Sequence, residues 1–346
     1  MPGFLSWMSG LFFSDKPNRV SAPESRLLNP AASTENSTET DPALVHQLEE
    51  YLFCWLLDSP PTALHSEAGR WEHILEDLRE RIATGALNEL PRQPMTLPKL
   101  MRALSDDKSD RNQLTEIILD DPALTDQLLQ IANSPYFRPG DQSIDSVDQA
   151  VFVLGLDGIR NVISASIMRP MMAARNSREA LFAQRVWRWG LTCARSAELI
   201  AKIQGQDSSV YFMSGLLPAL SYITLRRELQ RICHAEPGMT EPPASLIHDA
   251  LSRYQWATSQ LLANEWNLPP KYHALLMAAE RPAPRQRHTP LNDGIIVGTR
   301  EVLRHAHQRN MPEEDVLSII HISGPQFTRV RKVILDVLEA GSKARA

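Results

Sequence analysis

The residues of this chain whose types could hold a divalent metal are few: a His248-Asp249 dipeptide, His305 and His307 in an H-x-H, and the separate His273 and His321. Metal chemistry needs three or four ligands to converge before an ion is fixed and its bound water acidified. Spacing argues against each group. Neighbours on a helix point about 100° apart, so His248-Asp249 reads as a surface or helix-exposed pair. The same geometry sends His305 and His307 to nearly opposite faces; His321 is distant and His273 reads as surface. Cys54, Cys193 and Cys233 lie far apart without a C-x-x-C, which excludes a thiolate zinc site and a disulfide framework. Asn133 and Ser134 have no histidine within the surrounding forty residues, so they read as small polar groups packed between helices. No phosphate-cradling glycine loop and no G-x-S-x-G nucleophile elbow occurs.

Charge gives a second lead. The 346 residues carry a formal net charge of −5, which excludes a generally basic, nucleic-acid-coating protein. Residues 43–95 hold four basic and nine acidic groups. Residues 158–206 hold eight basic ones (Arg160, Arg169, Arg175, Arg178, Arg185, Arg188, Arg195 and Lys202) against Glu179 and Glu198. Arginine suits bidentate contact with phosphate or carboxylate. This stretch reads as a solvated helical face, as a site for an anionic partner (an acidic protein surface or a cyclic nucleotide), or as a clamp on the chain's own acidic segment. Nucleic acid fits less well, because no aromatic-and-basic alternation or helix-turn-helix pattern accompanies the charge.

The elements that must position these groups have helical period. Leu44, Leu48, Tyr51, Leu52, Trp55 and Leu56 recur at i, i+4, i+7, i+8, behind an Asp41-Pro42 start. Trp71, Ile74, Leu75, Leu78 and Ile82 repeat the pattern up to Gly85, so the two segments read as an antiparallel arm. Further helices follow Asp121-Pro122, run from Val147 to Gly155, and from Ile159 to a stop at Pro170. Alternating strand patterns are scarce, and the fold class is all-α. Residues 14–42 are rich in Ser, Thr, Pro and Asn and read as a disordered linker. Before it, residues 1–13 place Phe4, Leu5, Trp7, Met8, Leu11 and Phe12 on one side of a helix; they read as an end docked on its own domain or as a short membrane-surface or partner-docking segment. No run approaches a membrane span and the opening residues lack signal-peptide features, so a cytoplasmic protein is expected.

Residues 96–285 carry a resemblance. The run Leu97-Pro98, Ile118, Asp121-Pro122-Ala123-Leu124-Thr125, Leu128-Leu129, Ala132-Asn133-Ser134, Tyr136-Phe137 is similar to the opening of a bacterial HDOD domain. So are Leu154-Gly155, Ile159-Arg160-Asn161, Val186-Trp187-Arg188, Gly215-Leu216-Leu217 and Trp266-Asn267-Leu268-Pro269. The resemblance implies an HDOD-type helical domain related to the HD phosphohydrolases, preceded by the helical arm at 43–95 and followed by C-terminal helices at 286–346 packed on it. HD enzymes hold metals with histidines and aspartates on adjacent helices. At the positions the resemblance assigns to those ligands stand Trp189, Pro218, Ala219, Tyr254, Ala279 and Glu280, of which only the glutamate can ligate a hard cation.

The resemblance therefore implies a non-catalytic signalling or scaffolding pseudo-enzyme with no metal and no cofactor. Trp189, Tyr254 and Pro218 are expected to plug the former cleft with apolar packing. Partners implied are proteins of a signalling pathway: a kinase, a response regulator or a cyclic-dinucleotide enzyme. Two alternatives stay open. One is binding of a cyclic dinucleotide or nucleic acid through 158–206, with Arg160, Arg169, Arg175, Arg178, Arg185 and Arg188 as contacts. The other is residual metal-dependent hydrolysis through a convergence of His248, Asp249, His273 and Glu280.

Overall fold

The computed structural model describes residues 41–343 apart from 67–68, 96, 100–110, 135–136, 138–141, 237 and 281–288. The amphipathic segment at 1–13 and the linker expected at 14–42, up to residue 40, lie outside the described residues. Among the described residues there is no strand, and the fold is all-α.

Helix α1 (Pro42–Leu57) begins where the Asp41 carboxylate accepts the Ala43 N–H at 2.9 Å and proline occupies the first helical position. A short α2 (Pro61–Leu64) leads to α3 (Glu72–Thr84), which ends at Gly85 with φ 70°, a left-handed conformation that favours glycine. After α4 (Arg111–Leu119), α5 (Pro122–Ala132) is capped by Asp121, which accepts the Leu124 N–H at 3.0 Å. The two helices expected on either side of Gly155 are one bent element, α6 (Val147–Met172), because Gly155 takes φ 67°, ψ 179° and kinks the run without ending it. Pro170 does not stop it either: α6 continues to Met172, with Met168 and Met172 fully buried on either side.

The centre is built on α7 (Ser177–Ile203) and α8 (Ser208–Ala235), followed by α9 (Ala244–Glu265), α10 (Pro270–Glu280) and α11 (Pro290–His305). Short α12 (Glu313–Ile319) and long α13 (Gly324–Lys343) complete the described chain. Small residues bring backbones together along α7. A Cβ added to Gly190 would lie 2.5 Å from the Ala219 Cβ of α8, and one on Gly215 of α8 would lie 2.7 Å from the Ala194 Cα. On another side of α7, Gly294 and Gly298 of α11 leave no room for a Cβ against the backbone of Ala197 and Cys193. Helix α7 is thus clasped by α8 and by α11 alike. Helix α8 has the length and hydropathy of a membrane span, and 89% of that window is buried inside the fold.

The first helices are not a separate arm. Helix α1 packs on α7 and α11, whereas α2 and α3 pack on α9, with α3 also reaching α8. The reason is visible on α1, where Leu48, Tyr51, Leu52, Phe53, Trp55 and Leu56 are all buried. That much apolar surface needs more than one partner helix, and all of it joins a single continuous core.

Candidate functional site

Three of the six positions that the resemblance assigns to former HD ligands meet at the seam of α7 and α8. Trp189 is 2% exposed; Pro218 and Ala219 are buried on α8, and Ala219 abuts Gly190 directly. The Trp189 ring stacks on Tyr222 at 4.8 Å, with 6° between planes, and its indole N–H donates to Thr299 Oγ1 of α11 at 2.8 Å. Phe53 of α1 continues the cluster, 5.9 Å from Tyr222. Tyr254 does not join this plug: it is half-buried on α9, and its hydroxyl donates to the Leu75 carbonyl of α3 at 3.1 Å. The aromatic partner of Trp189 is Tyr222, one turn beyond Pro218, a position the i, i+4 spacing on α8 would have flagged. Ala279 and Glu280 sit at the end of α10, where the Ala279 carbonyl accepts the Asn292 amide at 3.0 Å.

The residues considered for an alternative metal site do not converge. His248 is not on an open surface: its side chain is 15% exposed and packs edge-on against Phe53 at 5.1 Å. Its Nδ1 lies 3.0 Å from its own neighbour, Asp249, and its ring lies 5.4 Å from His65, which pairs with Glu50 at 3.1 Å. Burial lowers the His248 pKa, with Asp249 opposing. His273 instead meets the Gln260 side chain, and among the described residues no three His, Cys, Asp or Glu side chains are placed to hold a metal ion. Cys193 is buried against Thr299 and the Ile295 carbonyl, and burial pushes its thiol far up. Asn133 is a clasp: its side chain accepts the Ile144 N–H and donates to the Ile144 carbonyl, at 2.9 and 2.8 Å.

The cations of 158–206 do not form one open face. Arg185 is 18% exposed and binds the C-terminal end of α1, through the Trp55 carbonyl and through Asp58 at 2.9 Å. Arg169 lies 5.0 Å over Trp187, and Arg195 pairs with Glu198 at 2.5 Å. Arg160 and Arg188 are half-buried, Arg188 close enough to His305 to help burial lower its pKa. Arg175 pairs with Glu89 at 2.6 Å and Arg178 with Glu241 at 2.9 Å. Arg185–Asp58 and Arg175–Glu89 are ion pairs that join the basic stretch to the acidic 43–95 segment. A central helix covered by several others spends its arginines on those neighbours, which a charge count along the chain does not register.

Sequence reasoning missed the strongest charged anchor of that segment. Glu228 on α8 is fully buried and accepts the Asn88 and Glu89 N–H groups at 2.9 and 3.1 Å, with Arg231 at 2.8 Å and Arg81 at 3.4 Å. An isolated glutamate between arginines carries no signal in sequence.

The described residues define a protein of the all-α helical-bundle class, built on the closely packed central pair α7 and α8. Within that class the HDOD domain family matches residues 90–282, more than half of the chain, and the chain belongs to this family. It is 25% identical over 195 residues to the uncharacterized protein YuxH of Bacillus subtilis, covering 53% of this chain and 46% of that one, so it spans about half the length of that relative. An HDOD domain protein from Geobacter sulfurreducens has the same fold, with a TM-score of 0.53, 17% identity and coverage of 79% and 98% of the two chains. A Shewanella amazonensis protein, classed provisionally as a metal-dependent phosphohydrolase, gives 0.54 at 18% identity over 77% and 98%. At these identities the likeness is one of fold. The metal that HD enzymes use does not fit the residues at this seam, since indole, proline and alanine offer it no donor.

Proposed function

We propose that this chain is a non-catalytic signalling or scaffolding module that works in the cytoplasm by binding a protein partner. The observation that carries the reading is the α7–α8 seam. Where a metal-binding relative needs a hydrated cleft, Gly190 and Ala219 put the two helices in direct contact, and the stacked Trp189 and Tyr222 rings fill the space beside them. Hydrolysis by metal-activated water requires ligands and an open position for the water; the described residues at this seam supply neither. Family membership supports the signalling part of the proposal, and the identity of the partner (kinase, response regulator or cyclic-dinucleotide enzyme) belongs to the experiment.

Two measurements test it. Protein purified without chelator should carry well under one equivalent of Mn, Fe or Zn, and crosslinked pull-down of the full chain should yield a reproducible stoichiometric protein. About one equivalent of bound metal with phosphohydrolase activity would overturn the proposal.

A further inference from the structure

Between the start of α7, the C-terminal half of α8 and the loop after α8 lies a cavity of about 240 Å³ whose charged lining does not balance. Five arginines face three glutamates there, an excess of two positive charges with His234 neutral. Two of the arginines are fixed parts of the wall. Arg227 is held by Glu179 at 2.6 Å and by the Met171 and Ala173 carbonyls at 2.7 Å, and Arg231 by the buried Glu228. Two stand at the rim: Arg175 and Arg178 are 59% and 72% exposed, in ion pairs with Glu89 and Glu241. Exposed pairs of this kind contribute little and exchange readily for a better acceptor.

Arg226 is different from all four. It is half-buried, with its guanidinium 4.5 Å over the ring of Phe182. Among the described residues, no carboxylate or carbonyl accepts a hydrogen bond from it, although its neighbours on α8 are saturated. Its guanidinium is partly desolvated, with Glu179 and Glu241 favouring its charge, and an entering anion would supply the bonded acceptor it lacks. The Phe182 ring holds this guanidinium at the cavity wall, and a guanidinium can take up a phosphate bidentately. The volume is below the roughly 300–1,000 Å³ of a drug-sized pocket. It suits one phosphate group and part of its carrier.

We infer that this cavity binds the phosphate group of a small ligand, with Arg226 as the fixed anchor and Arg175 and Arg178 as arms that turn from Glu89 and Glu241 onto it. The inference concerns a site remote from the Trp189 seam and stands whether or not the module has lost metal chemistry.

The probe is inorganic pyrophosphate, added to the full-length chain at low salt and followed by thermal denaturation and calorimetry, with sodium chloride at matched ionic strength as control. A saturable rise in Tm is expected for wild type. Affinity should fall about tenfold or more in Arg226→Gln, the loss of one charge-assisted contact, and less in Arg178→Gln, whose exposed side chain is not needed for folding. Displacement of pyrophosphate by a cyclic dinucleotide would identify a phosphodiester source, and displacement by a sugar phosphate a phosphomonoester. No rise in wild type, an equal rise with chloride, unchanged affinity in a folded Arg226→Gln, or, where that variant does not fold, unchanged affinity in Arg178→Gln would overturn the inference. Because Arg178→Gln leaves the core intact, the test survives even if Arg226→Gln does not fold.

Discussion

The rings of Trp189 and Tyr222 lie 4.8 Å apart and 6° from parallel, on helices that approach closely because Gly190 faces Ala219. Both rings are about 2% exposed. Trp189→Ala therefore opens a cavity in a closed core and should cost about 3–5 kcal/mol in chemical denaturation. Trp189→Phe keeps most of the ring contact but abandons the Thr299 hydroxyl, and should cost about 1–3 kcal/mol. A loss below about 1 kcal/mol for the alanine variant would contradict the packing described.

The glycine contacts are graded. Gly190→Ala meets a methyl group on Ala219, whereas Gly298→Ala meets the backbone of Cys193 at 2.6 Å, which cannot swing aside. Both should lower Tm, Gly298→Ala by more; overpacking of a core costs about 1–3 kcal/mol as a rule. Gly205→Ala is the comparison with no crowding, since its only penalty comes from φ 70°. Equal losses at 190 and 298 would mean that the α7–α11 seam yields as easily as the α7–α8 seam.

Glu228 should behave as a buried anchor. Its carboxylate collects two backbone N–H groups and two arginines from three segments of the chain. Glu228→Ala leaves those donors unpaired and should destabilise by about 3–5 kcal/mol. Hydrogen exchange should show Asn88 and Glu89 losing protection first, because their amides are the ones released.

Acid should weaken the fold through His248. Burial holds its pKa below the value of an exposed histidine, with Asp249 and Glu50 opposing and His65 reinforcing. A base whose folded pKa is lowered binds its proton more readily in the unfolded chain. Stability is therefore lost as pH falls through about 6.5, the unfolded value, and levels off below the folded one. The stability difference between wild type and His248→Gln, measured from pH 7.5 to 5, should shift toward the variant as pH falls. A difference that stays constant over that range would show that the ring is not desolvated.

Much of this protein is legible in its sequence, and the parts that are not share a cause. Helix period and caps are local, so Asp41-Pro42, Asp121-Pro122 and Gly85 mark helix ends on the page as they do in space. The resemblance that sets Trp189, Pro218 and Ala219 at former ligand positions is likewise read from residue types and their local spacing. What lies beyond a single turn of helix is decided by packing. The tertiary structure chose Tyr222 over Tyr254 as the partner of Trp189, because only one of them lies on the α8 face that meets α7. It joined the segments on either side of Gly155 into one kinked helix and drew α1 and α3 onto different neighbours. It also divided the arginines of 158–206 among α1, the acidic segment and a cavity, while Arg226, set over the Phe182 ring, came from outside that stretch altogether. A run of like charge in sequence is a sum over one strand of chain, whereas the field at a site is a sum over every helix that packs around it, and only the fold supplies the second.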